Sequence, residues 1–266
     1  MRDAEISDRY TFADTLIREA GTVANRYFND REALTVRNKG PQDIASEADL
    51  NTETLIRQRV NAAFPEDGFL GEETGSAAAE RNRGIWVVDP IDGTQPFIYG
   101  LSSWCVSLAF VVDQVLRFGM VYAPALNELF AGGLGFPATC NGRRLAPQPA
   151  ADLSAGIVGI GYSPKSEPEE FLFLISSLVR RGGTFYRNGS GALALCYVAS
   201  GGLIGYIETH IKSWDCLGAV AVISAAGLQV NDFFADGGFY NGNPIIAGSP
   251  GVYAALSEIH AELVNR

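Results

Sequence analysis

The chain has 266 residues, which suits one large compact unit or two fused halves and is long enough to bury a substantial core. Apolar residues make up 47% and charged residues 19%, the balance of a globular chain and not of a disordered one. The formal net charge of -10 argues against broad nucleic-acid binding and against docking on anionic membrane.

Taken in chain order, residues 8–29 predict an amphipathic helix, with Leu16, Ile17, Ala20, Val23, Ala24 and Tyr27 at helical spacing. The opening residues lack the apolar stretch of a secretory signal, and no apolar run reaches membrane-spanning length, so a cytoplasmic location is expected. Residues 46–63 predict a second helix, with Ser46 as N-cap, Asp49 at the third helical position and Leu50, Leu55, Ile56 and Val60 as a partial apolar face. Phe64-Pro65-Glu66-Asp67-Gly68 ends it.

Ile85 to Val88 is an apolar, β-branched run that predicts a buried strand. Residues 105–113, 115–123 and 127–131 predict an antiparallel meander. The stretch 135–150 is rich in Gly, Pro and Asn and is the expected junction between sub-halves 1–145 and 146–266 of a single unit, 1–266. Beyond it, predicted strands (156–160, 184–187, 203–208, 245–248) alternate with helices (167–181, 191–200, 215–226, 250–264), the pattern of an α/β layered half. Cys105, Cys140, Cys196 and Cys216 are scattered without CxxC spacing, which argues against disulfides and zinc-thiolate chemistry.

The strongest chemical signal is Trp86-Val87-Val88-Asp89-Pro90-Ile91-Asp92-Gly93-Thr94. An apolar strand runs into an aspartate, proline interrupts its ladder, and a second aspartate follows in a Gly-containing turn. Such a turn can aim both carboxylates and the Ile91 carbonyl at one point, while Gly93 and Thr94 offer backbone N–H groups to an anion. Clustered carboxylates without His or Cys favour Mg²⁺, with Mn²⁺ as a substitute, over Zn²⁺. The competing reading is that the two aspartates merely shape a turn. Gly71-Glu72-Glu73, taken alone, reads as solvated charge. Asp215 in Ser213-Trp214-Asp215 reads equally as a helix N-cap, a role compatible with metal ligation.

In combination, KGPQDIASEAD, GEE, WVVDPIDGT and the downstream WD before an apolar helix resemble the inositol monophosphatase superfamily, over nearly the whole chain. The resemblance implies a layered α/β (α+β) fold, an αβαβα sandwich of the inositol monophosphatase / fructose-1,6-bisphosphatase type. It implies Mg²⁺-dependent hydrolysis of a small phosphate monoester, with inositol 1-phosphate as the leading substrate, two or three ions, no covalent intermediate, inhibition by excess Li⁺ and a homodimer. The implied metal ligands are Glu72, Asp89, the Ile91 carbonyl, Asp92 and Asp215. Asp49 and Thr94 are the implied water-positioning pair, and the phosphate would rest on the metals and on Gly93 and Thr94. Glu208 and the loop Gly189-Ser190-Gly191 would face the leaving group, with Tyr162 and Ser163 nearby. A glutamate there serves either sugar hydroxyls or an amine, so histidinol phosphate and sugar phosphates remain alternatives, as does a regulatory protein-binding role.

The sequence departs from the family pattern at Pro96, where Asn is usual, at Ser46, where Thr is commoner, and at Ala225, where Glu is common. Lys39 lies near the family's lysine position. His210 and His260 read as structural or exposed, with His210 close enough to Asp215 to lie near the pocket, and Arg143-Arg144 and Arg180-Arg181 read as solvated faces.

Overall fold

A computed structural model describes all residues except 41–42, 78–82, 148 and 164–165, together with all side chains except those of these residues and of 33, 37–40, 43–45 and 76–77. The Lys39 side chain and part of the KGPQDIASEAD motif therefore lie outside the described residues.

The elements in order are α1 (Asp3–Asn29), β1 (Val36–Gly40), β2 (Asp43–Ser46), α2 (Glu47–Ala63), β3 (Gly68–Gly71), β4 (Gly75–Ala77), β5 (Ile85–Asp92) and α3 (Thr94–Ile98). There follow β6 (Cys105–Val112), β7 (Val115–Ala123), β8 (Glu128–Gly133), β9 (Phe136–Cys140) and β10 (Arg143–Arg144). The second half holds β11 (Ile157–Ile160), α4 (Pro168–Arg180), β12 (Thr184–Tyr186), α5 (Gly191–Ser200), β13 (Gly205–Ile211), α6 (Ser213–Ala225), β14 (Gln229–Val230), α7 (Gly238–Asn241), β15 (Asn243–Gly248) and α8 (Pro250–Val264).

Among the described residues the strands form a large sheet ordered β10-β9-β8-β7-β6-β5-β3-β4, a smaller one ordered β12-β11-β13-β15-β14, and the hairpin β1-β2. The expected meander is β6-β7-β8, antiparallel throughout. Period-two alternation divides the large sheet's side chains between two cores. Trp86, Val88, Leu108, Phe110 and Phe118 face α1 and α2. Val87, Ala109, Val111 and Val121 face α5 and α6. The small sheet packs on the other side of α5 and α6 through Tyr206, Ile211, Ile245 and Ala247. Its outer face is covered by α4 and α8. The layers are thus α, β, α, β, α.

This layering explains why α5 and α6 are apolar almost all round: each lies between two sheets. It also sets how close α6 comes. A side-chain carbon added at Gly119 of β7 would lie 2.2 Å from the Gly218 carbonyl oxygen, so the helix backbone rests directly on the sheet. By contrast α1 buries one stripe, including Leu16, Ile17, Ala20 and Ala24, as expected, but starts at Asp3. Its additional turn carries Asp3 and Glu5 and buries Ile6, which the periodicity from residue 8 onward did not include.

The stretch 135–150 is not irregular throughout. It contains β9 and β10, joined by a tight turn in which Asn141 and Gly142 have φ of 50° and 76°. Asn and Gly tolerate that left-handed backbone and so close a hairpin at the sheet edge. The chain passes toward the second sheet after it.

Candidate active site

The centre of the site is an irregularity in β5. Asp89 pairs with Ser107 of β6 and Asp92 with Cys105, so three steps on one strand oppose two on the other. In a regular strand, residues three apart point to opposite faces; one extra residue returns both to the same face. Asp89 and Asp92 consequently both look toward the α5–α6 layer, while Ile91 is buried against α1 and α2. The strand does not stop at Asp89, as the proline suggested, but continues through this bulge to Asp92.

Glu72, at the end of β3, is brought alongside by the parallel pairing of β3 with β5, and its N–H donates to the Val88 carbonyl at 3.2 Å. Asp215 comes from the opposite layer. It is the third residue of α6, not its N-cap, and its carboxylate accepts from the Lys212 N–H at 3.3 Å. Carboxylate oxygens of Glu72, Asp89 and Asp215 all lie within 4.8 Å of one another. Burial drives the Asp89 carboxyl well above its ordinary pKa, and the negative charges of Glu72, Asp92 and Asp215 push it further.

The structure gives Asp92 a second set of partners. Its carboxylate accepts from the Ser190 hydroxyl at 2.5 Å, the Ala192 N–H at 2.7 Å and the Gly191 N–H at 3.3 Å. These donors sit at the N-terminus of α5, where unsatisfied N–H groups and the helix dipole favour a carboxylate. Burial raises the Asp92 pKa, and these donors pull it back. Ser190 also caps α5, accepting from the Leu193 N–H. The Gly189-Ser190-Gly191 turn therefore tethers the second half of the chain to the β5 bulge.

Asp49 is buried in the first turn of α2, where its Oδ2 accepts from the Ser46 N–H at 2.8 Å and hydroxyl at 2.6 Å. The capping arrangement read from Ser46 and Asp49 is present. Its other oxygen faces the Thr94 hydroxyl at 3.3 Å, and that hydroxyl lies 3.2 Å from the Ile91 carbonyl oxygen. Burial raises the Asp49 pKa to about 6.

Gly93 has φ of 92°, and a side-chain carbon there would approach the Ser103 carbonyl oxygen to 2.9 Å, so the turn requires glycine. The short helix after it accommodates Pro96, because the first turn has no intrahelical acceptor for that N–H. Pro96 instead packs beside Gly189, whose added carbon would lie 2.8 Å from the proline Cγ. The turn after Gly93 still closes with Pro96 in it: the Phe97 N–H bonds to the Gly93 carbonyl at 3.0 Å.

A cavity of about 400 Å³ opens beside the carboxylates, lined by both Glu72 and Asp215 and by Tyr162, Ser163, Glu208 and the 189–191 turn. Glu208 is buried, receives the Tyr206 hydroxyl at 2.7 Å, and has its pKa raised by burial to about 8. Arg187, His210 and Lys212 also line the cavity. Tyr206, Glu208 and His210 of β13 all reach the cavity wall, across a register shift between Glu208 and Ile211; the closeness of His210 to Asp215 in the sequence is the signal that points to this position. Arg187 carries no such local signal. His260, on α8, lies away from this wall.

The donor set fits a hard divalent cation. Three carboxylates converge without His or Cys among them, one of them buried, and their mutual repulsion is what a cation would relieve.

Residues 5–266 match the inositol monophosphatase family. The chain is 32% identical to a Nus factor SuhB from Haemophilus influenzae over 252 residues, 94% of this chain and 91% of that protein. It is 33% identical to an inositol-1-monophosphatase from Mesorhizobium japonicum over 242 residues, 90% of each. The extragenic suppressor protein SuhB from Bartonella henselae superposes with a TM-score of 0.86 at 28% identity, covering 93% of this chain and 96% of that one. An IMPase from Thermotoga maritima superposes with a TM-score of 0.82 at 26% identity, covering 96% and 99%. The expectation of a small phosphate ester as partner, without nucleic acid, thus stands beside relatives named Nus factor SuhB. No described helix is long and apolar enough to cross a membrane. The layered fold, the convergent carboxylates and these matches lead to one assignment: the chain belongs to the inositol monophosphatase family.

Proposed function

We propose that this protein is a Mg²⁺-dependent phosphatase that hydrolyses a small polyol phosphate monoester, with inositol 1-phosphate as the leading substrate. The observation that carries this reading is the convergence of Glu72, Asp89 and Asp215 beside the Asp49–Thr94 pair in a member of this family.

Glu72, Asp89, Asp215, the Ile91 carbonyl and the outer face of Asp92 would hold the ions, two or three in number, with Mn²⁺ able to replace Mg²⁺. Bound divalent cations supply Lewis acidity, charge neutralisation at the ester oxygens and a lowered pKa for water. The chain's own residues do the rest. Asp49, with its pKa near 6, accepts a hydrogen bond from Thr94 and so orients the hydroxyl lone pair toward the attacking water. Gly93 and Thr94 offer N–H groups to the phosphoryl oxygens. No side chain is required as a nucleophile.

The leaving group would lie against β13. Glu208 is largely protonated at neutral pH, with its pKa near 8, and therefore both donates to and accepts from hydroxyls. The cations Arg187 and Lys212 on the same wall oppose a positively charged leaving group. Both features favour a polyol over histidinol phosphate. The test is phosphate release from inositol 1-phosphate, histidinol phosphate and fructose 1,6-bisphosphate across a Mg²⁺ titration. Release from none of them at any metal concentration sinks the proposal. The same resemblance implies two associated copies, read by light scattering.

The Haemophilus relative supports a second reading, a regulatory role exercised through macromolecular contacts. Full cellular function in an Asp92→Asn protein without phosphate release would favour it over the enzyme.

A further inference from the structure

We infer that Glu53 is a positioning residue for the metal site, acting through the loop that carries Glu72. The inference rests on the reading of Glu72 as a metal ligand.

Glu53 lies on α2 one turn beyond Asp49, so the two share a face of the helix. It is fully buried. Its Oε2 accepts from the Glu73 N–H at 2.8 Å. Its Oε1 accepts from the Thr74 N–H at 3.0 Å and from the Thr74 hydroxyl. On the other side of Glu72, a side-chain carbon added at Gly71 would lie 2.5 Å from this carboxylate, so the end of β3 packs directly on it. Arg57 reinforces the grip. Its guanidinium lies 3.8 Å from Glu53, donates to the Thr74 hydroxyl and to the Gly75 carbonyl, and stacks over Phe69.

The residues before and after Glu72 therefore rest on one side chain. A further anchor is the bond from Glu72 N–H to the Val88 carbonyl, next to Asp89. Such holding matters because placing Glu72 within 4.8 Å of Asp89 and Asp215 is electrostatically unfavourable until a cation arrives. A loop free to relax would swing the carboxylate away, and cation binding would have to draw it back. Glu53 keeps Glu72 in place beforehand. α2 thus serves the site twice: through Asp49 at the Thr94 side and through Glu53 at the Glu72 side.

The test is Glu53→Gln, which keeps the volume but turns an NH₂ group toward a backbone N–H. Mn²⁺ binding is titrated directly on the metal-free protein, and phosphate release is followed against Mg²⁺ concentration. Metal affinity should fall about 10–100-fold, the range for lost partners of metal ligands, with kcat largely recovered at saturating Mg²⁺. Thr74→Val removes one donor at an exposed position and should move affinity in the same direction by less. It decides the matter if Glu53→Gln does not fold. Unchanged Mn²⁺ affinity in folded Glu53→Gln, or in Thr74→Val where the former cannot be made, overturns the inference, as does a loss of kcat that Mg²⁺ does not restore. Wild-type protein that binds Mn²⁺ but releases no phosphate would overturn the phosphatase reading while leaving the affinity comparison intact.

Discussion

The two walls of the cleft handle negative charge in opposite ways. On the β5 side, Glu72, Asp89 and Asp215 converge, and burial together with mutual repulsion raises the Asp89 pKa. On the β13 side, Glu208 is also buried, but the Tyr206 hydroxyl and the charge of Arg187 favour its ionised form and partly offset burial. The first wall has the converging donors to hold a cation. The second carries its own compensation and suits a neutral, hydroxyl-rich group. Asp92 stands between these extremes: although only one bulge away from Asp89, it is satisfied by the N-terminus of α5.

The sharpest way to break this contrast is Asp89→Asn. It should lower kcat/KM by about 10³-fold, the several kcal/mol expected of metal-assisted chemistry, and should abolish the rise in Tm on adding Mg²⁺. A Mg²⁺-induced rise of wild-type size would show that Asp89 is not part of the cation site.

The metal-free protein should also show an uncommon pH dependence. The folded pKa of Glu208 is raised from 4.5 to about 8 and that of Asp49 from 3.8 to about 6, so the folded state holds protons that the unfolded chain releases. Stability from these groups is present below pH 4 and is lost as pH rises through those windows, by an amount on the order of a few kcal/mol. Thermal melts in EDTA from pH 5 to 9 should show a falling Tm, with Mg²⁺ restoring more stability at the alkaline end. A Tm that climbs over this range without metal would contradict the burial argument.

Thr94→Ala should reduce kcat about 10²-fold, within the range of lost proton-handling groups, while Mn²⁺ affinity stays near wild type. Wild-type turnover in this variant would remove Thr94 from water positioning. The smallest effect is expected at Glu208→Gln, where a neutral amide replaces a group that is already largely protonated at pH 7. KM for inositol 1-phosphate should change by less than about tenfold, the scale of one hydrogen bond. A selective loss of histidinol phosphate hydrolysis would instead show that Glu208 pairs with an amine.

Legibility along the sequence tracked whether a residue's role was local. α8 was readable because a proline start and an apolar period lie within one segment, and it spans Pro250–Val264 as expected. The Ser46–Asp49 cap was readable because both partners lie within one turn. β3 was not, since Gly68–Gly71 is a four-residue strand with glycine at both ends, and its strand character comes from parallel pairing with β5. Glu53 passed unnoticed for the same reason: a glutamate inside a helix looks solvated until the loop 20 residues later folds onto it.

The order of carboxylate motifs, the apolar runs and the Ser46–Asp49 cap were determined by the sequence alone, because each depends on residue type and short-range spacing. Only the tertiary structure decided that the β5 bulge turns Asp89 and Asp92 to one face, that Asp92 accepts from the N-terminus of α5, and that Arg187 shares a cavity with Glu208. Those outcomes depend on strand register and on how closely α6 seats against β7, and both are set by packing between segments distant in the chain.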